Sequence, residues 1–372
     1  MKIGIVVPFS WSYPGGVIEH AENQAHALRL RGHEVKLMMG HDPEGRLTRA
    51  LHPRSGRHGD LPEGIIAVGR SVVVPANGSL PNIVLSPRSI TRVRRVLDEE
   101  RFDVVHLHEP MTPAICVAAL SFAQCAIAAT WHAAGHLGWM RGARRTWGFL
   151  TERVDARIAV SQMAAESAER WLGHRYEIIP NGVVVPEQPR VDGREHQIVF
   201  IGRHEARKGL PVLLRAWPEI RRRSGARLRL IGTDPLQYRL IHSRLRFDED
   251  GIDVLGIVSS AVRDRELARA KLFVSPALGG ESFGMVLVEA FAQATPVVAS
   301  NIPGFAEVAV PEAARLVPPG DEKALAEAVV AALADEAGRV AMGAAGRALV
   351  QQRYAWSDVA RRLDTVYQRI AG

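Results

Sequence analysis

Short runs of Val, Ile, Leu and Ala recur along the chain, each followed by a longer segment whose apolar positions return every three or four residues. The runs read as strands buried on both faces, and the segments as amphipathic helices packed against them. Strands are expected at 3–7, 34–39, 103–107, 126–131, 156–160 and 176–179. The helices between them are clearest at 17–31, where Gly32 supplies a stop, and at 88–100. A second series follows at 197–201, 227–231, 252–255, 271–275, 296–299 and 314–317, again with helices after the strands. Such alternation marks parallel sheets built from βαβ units, so the fold class is α/β with two Rossmann-like domains. The Pro-, Glu- and Arg-rich stretch 186–194 has linker composition and sets the expected boundary, 1–185 against 186–354. Helices at 321–334 and 336–352 lead to Tyr354-Ala355-Trp356-Ser357-Asp358, and a last amphipathic helix, within 355–372, ends the chain.

Composition narrows the setting. Cys116 and Cys125 are the only cysteines, both in apolar surroundings, which suits a reducing compartment and gives no metal-ligand spacing. The N-terminal run lacks the layout of a secretory signal and no apolar run reaches membrane-spanning length, so a cytoplasmic protein is expected. A net charge of +7 points to phosphate-bearing partners. Lysine occurs at only five positions, which makes Lys208, inside Arg207-Lys208-Gly209, a place where arginine does not stand in for it.

The residues best suited to chemistry lie at strand-to-helix junctions. In Gly279-Gly280-Glu281-Ser282-Phe283-Gly284, glycines allow close backbone approach, and the helix that follows carries Glu289 two turns beyond Glu281. One carboxylate can accept from a sugar hydroxyl and the other from a ribose, although an acidic first helical turn has the same appearance. After strand 197–201 comes Gly202-Arg203-His204-Glu205-Ala206-Arg207-Lys208-Gly209, whose cations can neutralise a diphosphate; a solvated basic loop is the alternative. The first strand is followed by Pro14-Gly15-Gly16-Val17, a turn that can aim amides at a phosphate or can be a plain βα turn. His132 closes the strand ending at Trp131, and His106 and His108 alternate along Val105-His106-Leu107-His108-Glu109-Pro110.

These motifs resemble those of retaining glycosyltransferase family 4, of GT-B architecture, and most of all the phosphatidylinositol mannosyltransferase type within it. The likeness covers nearly the whole chain. It implies two Rossmann-like domains facing across a cleft, with the C-terminal helix crossing back onto the acceptor-side N-terminal domain and the sugar nucleotide held mainly by the second. Glu281 would orient the sugar hydroxyls and Glu289 the ribose, while Arg203 and Lys208 hold the diphosphate. Gly15, Gly16, Gly202, Gly280, Ser282, Phe283 and Gly284 would line the donor, and His132 would meet the sugar near the reacting carbon. The resemblance further implies chemistry with no cofactor and no metal, so His106 and His108 are set aside as ligands and Glu109 is placed on the acceptor side. Nothing resembles a nucleophile opposite a general acid at glycosidase spacing.

The donor expected first is GDP-mannose, with UDP-glucose and UDP-N-acetylglucosamine next. The acceptor is an alcohol, such as a membrane lipid of the phosphatidylinositol type. Here the chain departs from the family pattern: Asn77, Gly78 and Ser79 match, but Ala76 replaces an aromatic and the arginines that follow in the family are missing. The helix bearing Arg92, Arg94 and Arg95 fits rest on an anionic membrane at the inner face of the cell, and equally fits a solvated face over a core stripe of Ile90, Val93 and Leu97. Rival readings are a basic nucleic-acid-binding protein, for which no motif is present, and a sugar-nucleotide epimerase or sensor on the same fold.

Overall fold

The computed structural model describes residues 1–13, 15–52, 56–74, 80–132, 148–189, 193–203 and 205–372. It divides into two compact units, Met1–Gly182 with Trp356–Gly372, and Val183–Ala355. The first unit contains β1 (Lys2–Ser10), β2 (Glu34–Gly40), β3 (Ile65–Gly69), β4 (Val72–Val73), β5 (Asn82–Ile83), β6 (Val104–His108), β7 (Ala126–Trp131), β8 (Ala156–Ala159) and β9 (Glu177–Ile178). Its main path runs β3-β2-β1-β6-β7-β8-β9 with every pair parallel, and the short β4 and β5 add an antiparallel hairpin on the end of β1. The second unit contains β10 (Glu195–Ile201), β11 (Arg227–Ile231), β12 (Ile252–Gly256), β13 (Ala270–Ser275), β14 (Val297–Ser300) and β15 (Ala314–Val317), in the parallel order β12-β11-β10-β13-β14-β15. Both orders reverse direction at their first strand, the switch point outside which ligands of open α/β sheets bind.

Burial explains why the strands carry apolar runs. All five residues of β6 and all four of β14 are buried, as sheets covered by helices on both faces require. On one face of the first sheet, Ile3, Ile5 and Val7 pack with Ile18, Ala21 and Ala25 of the helix Gly16–Leu30 and with Trp356, Val359, Leu363 and Tyr367 of the C-terminal helix Trp356–Ala371. That helix therefore completes the core of the N-terminal unit, and Arg31 holds its Asp364 at 2.7 Å.

The chain leaves the first unit at Gly182, three residues before the boundary expected from composition, and the physical reason is local. Val183 forms a parallel bridge with Ala355 and donates its amide to Tyr354 at 2.8 Å, tying both crossing segments to the second unit. Arg347 reaches the carbonyls of Pro186 and Glu187, so the linker-like residues are tethered there as well. The helix Pro87–Glu100 also corrects an expectation. Ser89, Val93, Val96 and Leu97 are its buried stripe, while Ile90 is exposed beside Arg88 and Arg94, because Ser89 bonds the Ser86 carbonyl and turns inward. Among the described residues no helix is long and apolar enough to cross a membrane.

Candidate active site

In the second unit two parallel strands end side by side, β10 and β13, and each feeds a glycine-rich turn. After β10, Gly202 donates to the Ile231 carbonyl at 2.9 Å and the chain passes Arg203 into a single helical turn, Ala206–Lys208. Gly209 then takes φ +71°, and a Cβ there would lie 1.8 Å from the Pro276 carbonyl oxygen. Only glycine allows the two turns to come this close. The carbonyl of Arg207 in turn accepts from Leu278 at 2.7 Å, which locks the turn after β10 to the turn after β13.

Gly279, Gly280 and Gly284 all have positive φ and deliver Glu281 against the basic turn. Its Oε1 accepts from Arg207 Nη1 at 2.6 Å and from Lys208 Nζ at 2.7 Å. Arg207 also bonds the Gly280 carbonyl and pairs with Glu205, which pairs in turn with Arg203 at 3.2 Å. Three cations thus surround two carboxylates, with Glu281 and Lys208 largely buried and Arg203 mostly exposed. Helix Met285–Ala292 follows, and Glu289 on it pairs with Arg263 at 2.9 Å. Ser282 is half-buried, whereas the Phe283 ring is buried edge-on to Tyr354 at 5.6 Å, so it packs the turn rather than presenting an aromatic face outward. Arg207, Glu205 and Arg263 were not singled out by sequence reasoning; the alternation of charge from Arg203 to Lys208 was the available signal.

The remaining candidates lie in the first unit. Gly15 and Gly16 are exposed at the start of the helix Gly16–Leu30, with no side-chain cap and nothing within 4 Å of where a Cβ would be. Its first amides are open to an anion. His132 is buried at the end of β7, its Nε2 2.8 Å from His108 Nδ1. Its amide donates to Glu109 Oε1 at 3.1 Å, so the half-buried Glu109 braces the strand end. Burial pushes the His132 imidazole down to about 4. Burial and the nearby His132 push His106 down to about 3, and His20 and His108 lie well below the ordinary histidine value for the same first reason. These rings are neutral at physiological pH. His106 is committed elsewhere, with Nδ1 2.5 Å from the Tyr367 hydroxyl and Nε2 2.7 Å from Thr130 Oγ1.

Arg94 and Arg95 are exposed and Arg92 half-buried on the helix Pro87–Glu100, and Arg94 lies over the Phe122 ring at 5.2 Å. Asn77 and Ser79 lie outside the described residues.

A phosphatidyl-myo-inositol mannosyltransferase of Mycobacterium leprae is 36% identical to this chain over 388 residues, spanning 100% of the chain and 97% of the relative. The chain belongs to glycosyltransferase family 4. A family model described as "Glycosyltransferase Family 4" matches residues 14–187, and one described as "Glycosyl transferases group 1" matches residues 195–335. The phosphatidyl-myo-inositol mannosyltransferase of Mycolicibacterium smegmatis is 34% identical over 100% of this chain and 95% of its own. Among solved structures, Anabaena Alr3699/HepE in complex with UDP-glucose superposes with a TM-score of 0.74 over 99% of this chain and 100% of that one, at 18% identity, which shows a shared fold. As a family 4 member the protein is a hexosyltransferase, and its two parallel-sheet units are those of the GT-B fold.

Proposed function

We propose that this enzyme moves mannose from GDP-mannose, with retention of anomeric configuration, to an alcohol of a membrane lipid of the phosphatidylinositol type. The observation that carries the reading is Glu281 held by both Arg207 and Lys208 at the joined ends of β10 and β13. A diphosphate entering beside Lys208 offers it stronger anions than one carboxylate, so Lys208 turns to the ligand and Glu281 gains a free lone pair for a sugar hydroxyl. Arg203, exposed and among the described residues paired with Glu205, reaches for the same diphosphate, and Glu289 serves the ribose. As the bond to the sugar breaks, charge grows on the departing diphosphate, and these cations stabilise it without a resident metal or cofactor. The acceptor attacks from the face the diphosphate leaves, with a phosphate oxygen taking its proton, so the protein contributes positioning and charge.

Full-length similarity to phosphatidyl-myo-inositol mannosyltransferases supports the mannosyl donor and the lipid acceptor. The exposed Arg88, Ile90, Arg94 and Arg95 on one helix support a peripheral contact with anionic lipid at the cytoplasmic face. The test is thermal stabilisation by GDP, UDP and ADP, followed by transfer from labelled GDP-mannose to phosphatidylinositol vesicles. A shift with GDP alone and a mannosylated lipid are expected; a shift with UDP alone refutes the donor, and GDP binding without lipid product refutes the acceptor.

A further inference from the structure

Three imidazoles in the N-terminal unit form a group that the transfer reaction does not explain. His20 comes from the helix Gly16–Leu30, His108 from the last position of β6, and His132 follows β7. Their ring centroids are separated by 5.3 Å (His20 to His108), 5.0 Å (His20 to His132) and 5.1 Å (His108 to His132), a nearly equilateral triangle. One nitrogen from each lies within 4.8 Å of the other two.

A tetrahedral zinc bound through imidazole nitrogen at about 2.0–2.1 Å puts each ring centre about 3.2 Å from the ion, and hence ring centres about 5.2 Å apart. The observed triangle has that size. Ordinary packing of histidines would leave their polar atoms partnered, yet His20 Nδ1 is buried without a hydrogen-bond partner. His106, although its ring stacks on His108 at 4.9 Å, has both nitrogens engaged by Tyr367 and Thr130 and stands outside the group. The Trp356 ring, 4.9 Å from His20, covers it.

We propose that His20, His108 and His132 form a binding site for one divalent ion of the zinc class, and that filling this site inhibits glycosyl transfer. The ion takes the place of the hydrogen shared by His108 Nδ1 and His132 Nε2, which lie 2.8 Å apart and open by about 0.5 Å to the spacing of two zinc ligands. An all-imidazole set selects zinc, copper, nickel or cobalt over magnesium, calcium or manganese, which prefer oxygen. Among the described residues no fourth carboxylate, thiol or imidazole joins the three, and a three-ligand set leaves a coordination position for water or another ligand. The inhibitory half rests on the reading that His132 meets the donor sugar; the binding half stands on the triangle alone.

The full-length protein, freed of metal with a chelator, is titrated with Co²⁺. One equivalent is expected to give the visible d–d bands of tetrahedral cobalt, bleached by Zn²⁺. His20→Ala, and His20→Gln should the first variant fold poorly, loses the bands and keeps metal-free transfer activity. His26→Ala, on the exposed side of the same helix, keeps the bands. Absent bands, or bands that persist without His20, overturn the site. Zn²⁺ is expected to inhibit transfer with the midpoint at which it displaces cobalt, and His20→Ala to raise that midpoint at least about tenfold, since losing a ligand costs no less than losing an outer-shell partner. Binding that leaves transfer untouched overturns the inhibition and the placing of His132 at the donor. GDP stabilisation, measured separately, reports whether the donor reading itself fails.

Discussion

Replacing Glu281 by Gln separates two effects that a simple active-site carboxylate would join. The native side chain accepts from Arg207 at 2.6 Å and from Lys208 at 2.7 Å, so an incoming diphosphate competes with it for both cations. A unit pair 4 Å apart is worth about 1 kcal/mol in water and about 4 at the effective dielectric of a protein surface. Most of that is offset by desolvation and by the partial exposure of Arg207, leaving about 1–2 kcal/mol for the competition. Removing the charge is therefore expected to tighten free GDP roughly tenfold, since 1.4 kcal/mol is a factor of ten. Transfer moves the other way: losing one preorganised group at the reacting sugar lowers kcat by about 10²–10³. Titration calorimetry with GDP and a single-turnover assay read the two separately. The gain in affinity must also shrink as salt rises, because the Debye length falls to about 8 Å at physiological ionic strength. A Glu281→Gln enzyme that binds GDP more weakly than the native protein, or transfers the sugar at the native rate, refutes the arrangement.

Tyr367→Phe removes a fully buried hydroxyl that serves His106 at 2.5 Å and Gln24 at 3.0 Å, and should destabilise the N-terminal unit by about 2 kcal/mol in denaturant unfolding; a native midpoint would show that these two hydrogen bonds contribute nothing net. Burial alone would raise the Asp364 carboxyl, but hydrogen bonds and charge from Arg31, with His33 and Gln368, outweigh it and hold the carboxyl below its ordinary value. A folded value below the unfolded one contributes stability above the usual carboxylate range that is lost as pH falls through the folded value, so Asp364→Asn should be less stable than the native protein at neutral pH and converge with it in acid. Gly304→Ala puts a Cβ 1.9 Å from the Glu281 carbonyl oxygen and must displace the glycine-rich turn. Transfer should fall at least about tenfold for a stability loss of about 1–3 kcal/mol, and native kinetics would show that the position of this turn is unimportant.

The sheets were legible because parallel strands covered on both faces must be apolar throughout, and Ile198 to Phe200 or Val297 to Ala299 admit no other reading. The two-residue strands Val72–Val73 and Asn82–Ile83 were not, since periodicity needs more positions than two. Helical periodicity likewise found the helix Pro87–Glu100 but rotated it, taking Ile90 for core where Ser89 goes in, because one apolar residue at the edge of a stripe fits either side. At the site, turns such as Gly279-Gly280 announce themselves through glycine, but their partners do not. Arg207 and Glu281 are 74 residues apart, and nothing local says that the arginine next to Lys208 braces the carboxylate. The histidines show the same limit. The i, i+2 spacing of His106 and His108 placed both on one face, but their partners, Tyr367 for one and His132 for the other, come from tertiary structure.

The charge pattern of the basic turn suits what the proposed donor site would require both empty and filled. Arg203, Arg207 and Lys208 crowded into one loop would repel one another before any ligand arrived, and Glu205 and Glu281 remove that cost by pairing with them. Full neutralisation would leave nothing to attract a diphosphate, and three cations against two carboxylates leave a single positive excess. That excess matters most when charge is greatest. A sugar nucleotide gains negative charge on its diphosphate as the glycosidic bond breaks, so a fixed cation interacts more strongly with the departing group than with the intact donor, and only such a difference accelerates the chemical step. A metal ion could provide the same difference, but it must itself be bound and retained. Here the loop that carries the cations is fixed by backbone contacts that join the ends of two central strands, Gly209 against Pro276 and Leu278 against Arg207, so only side chains turn as the donor binds and no backbone reorganisation is left for the moment of transfer.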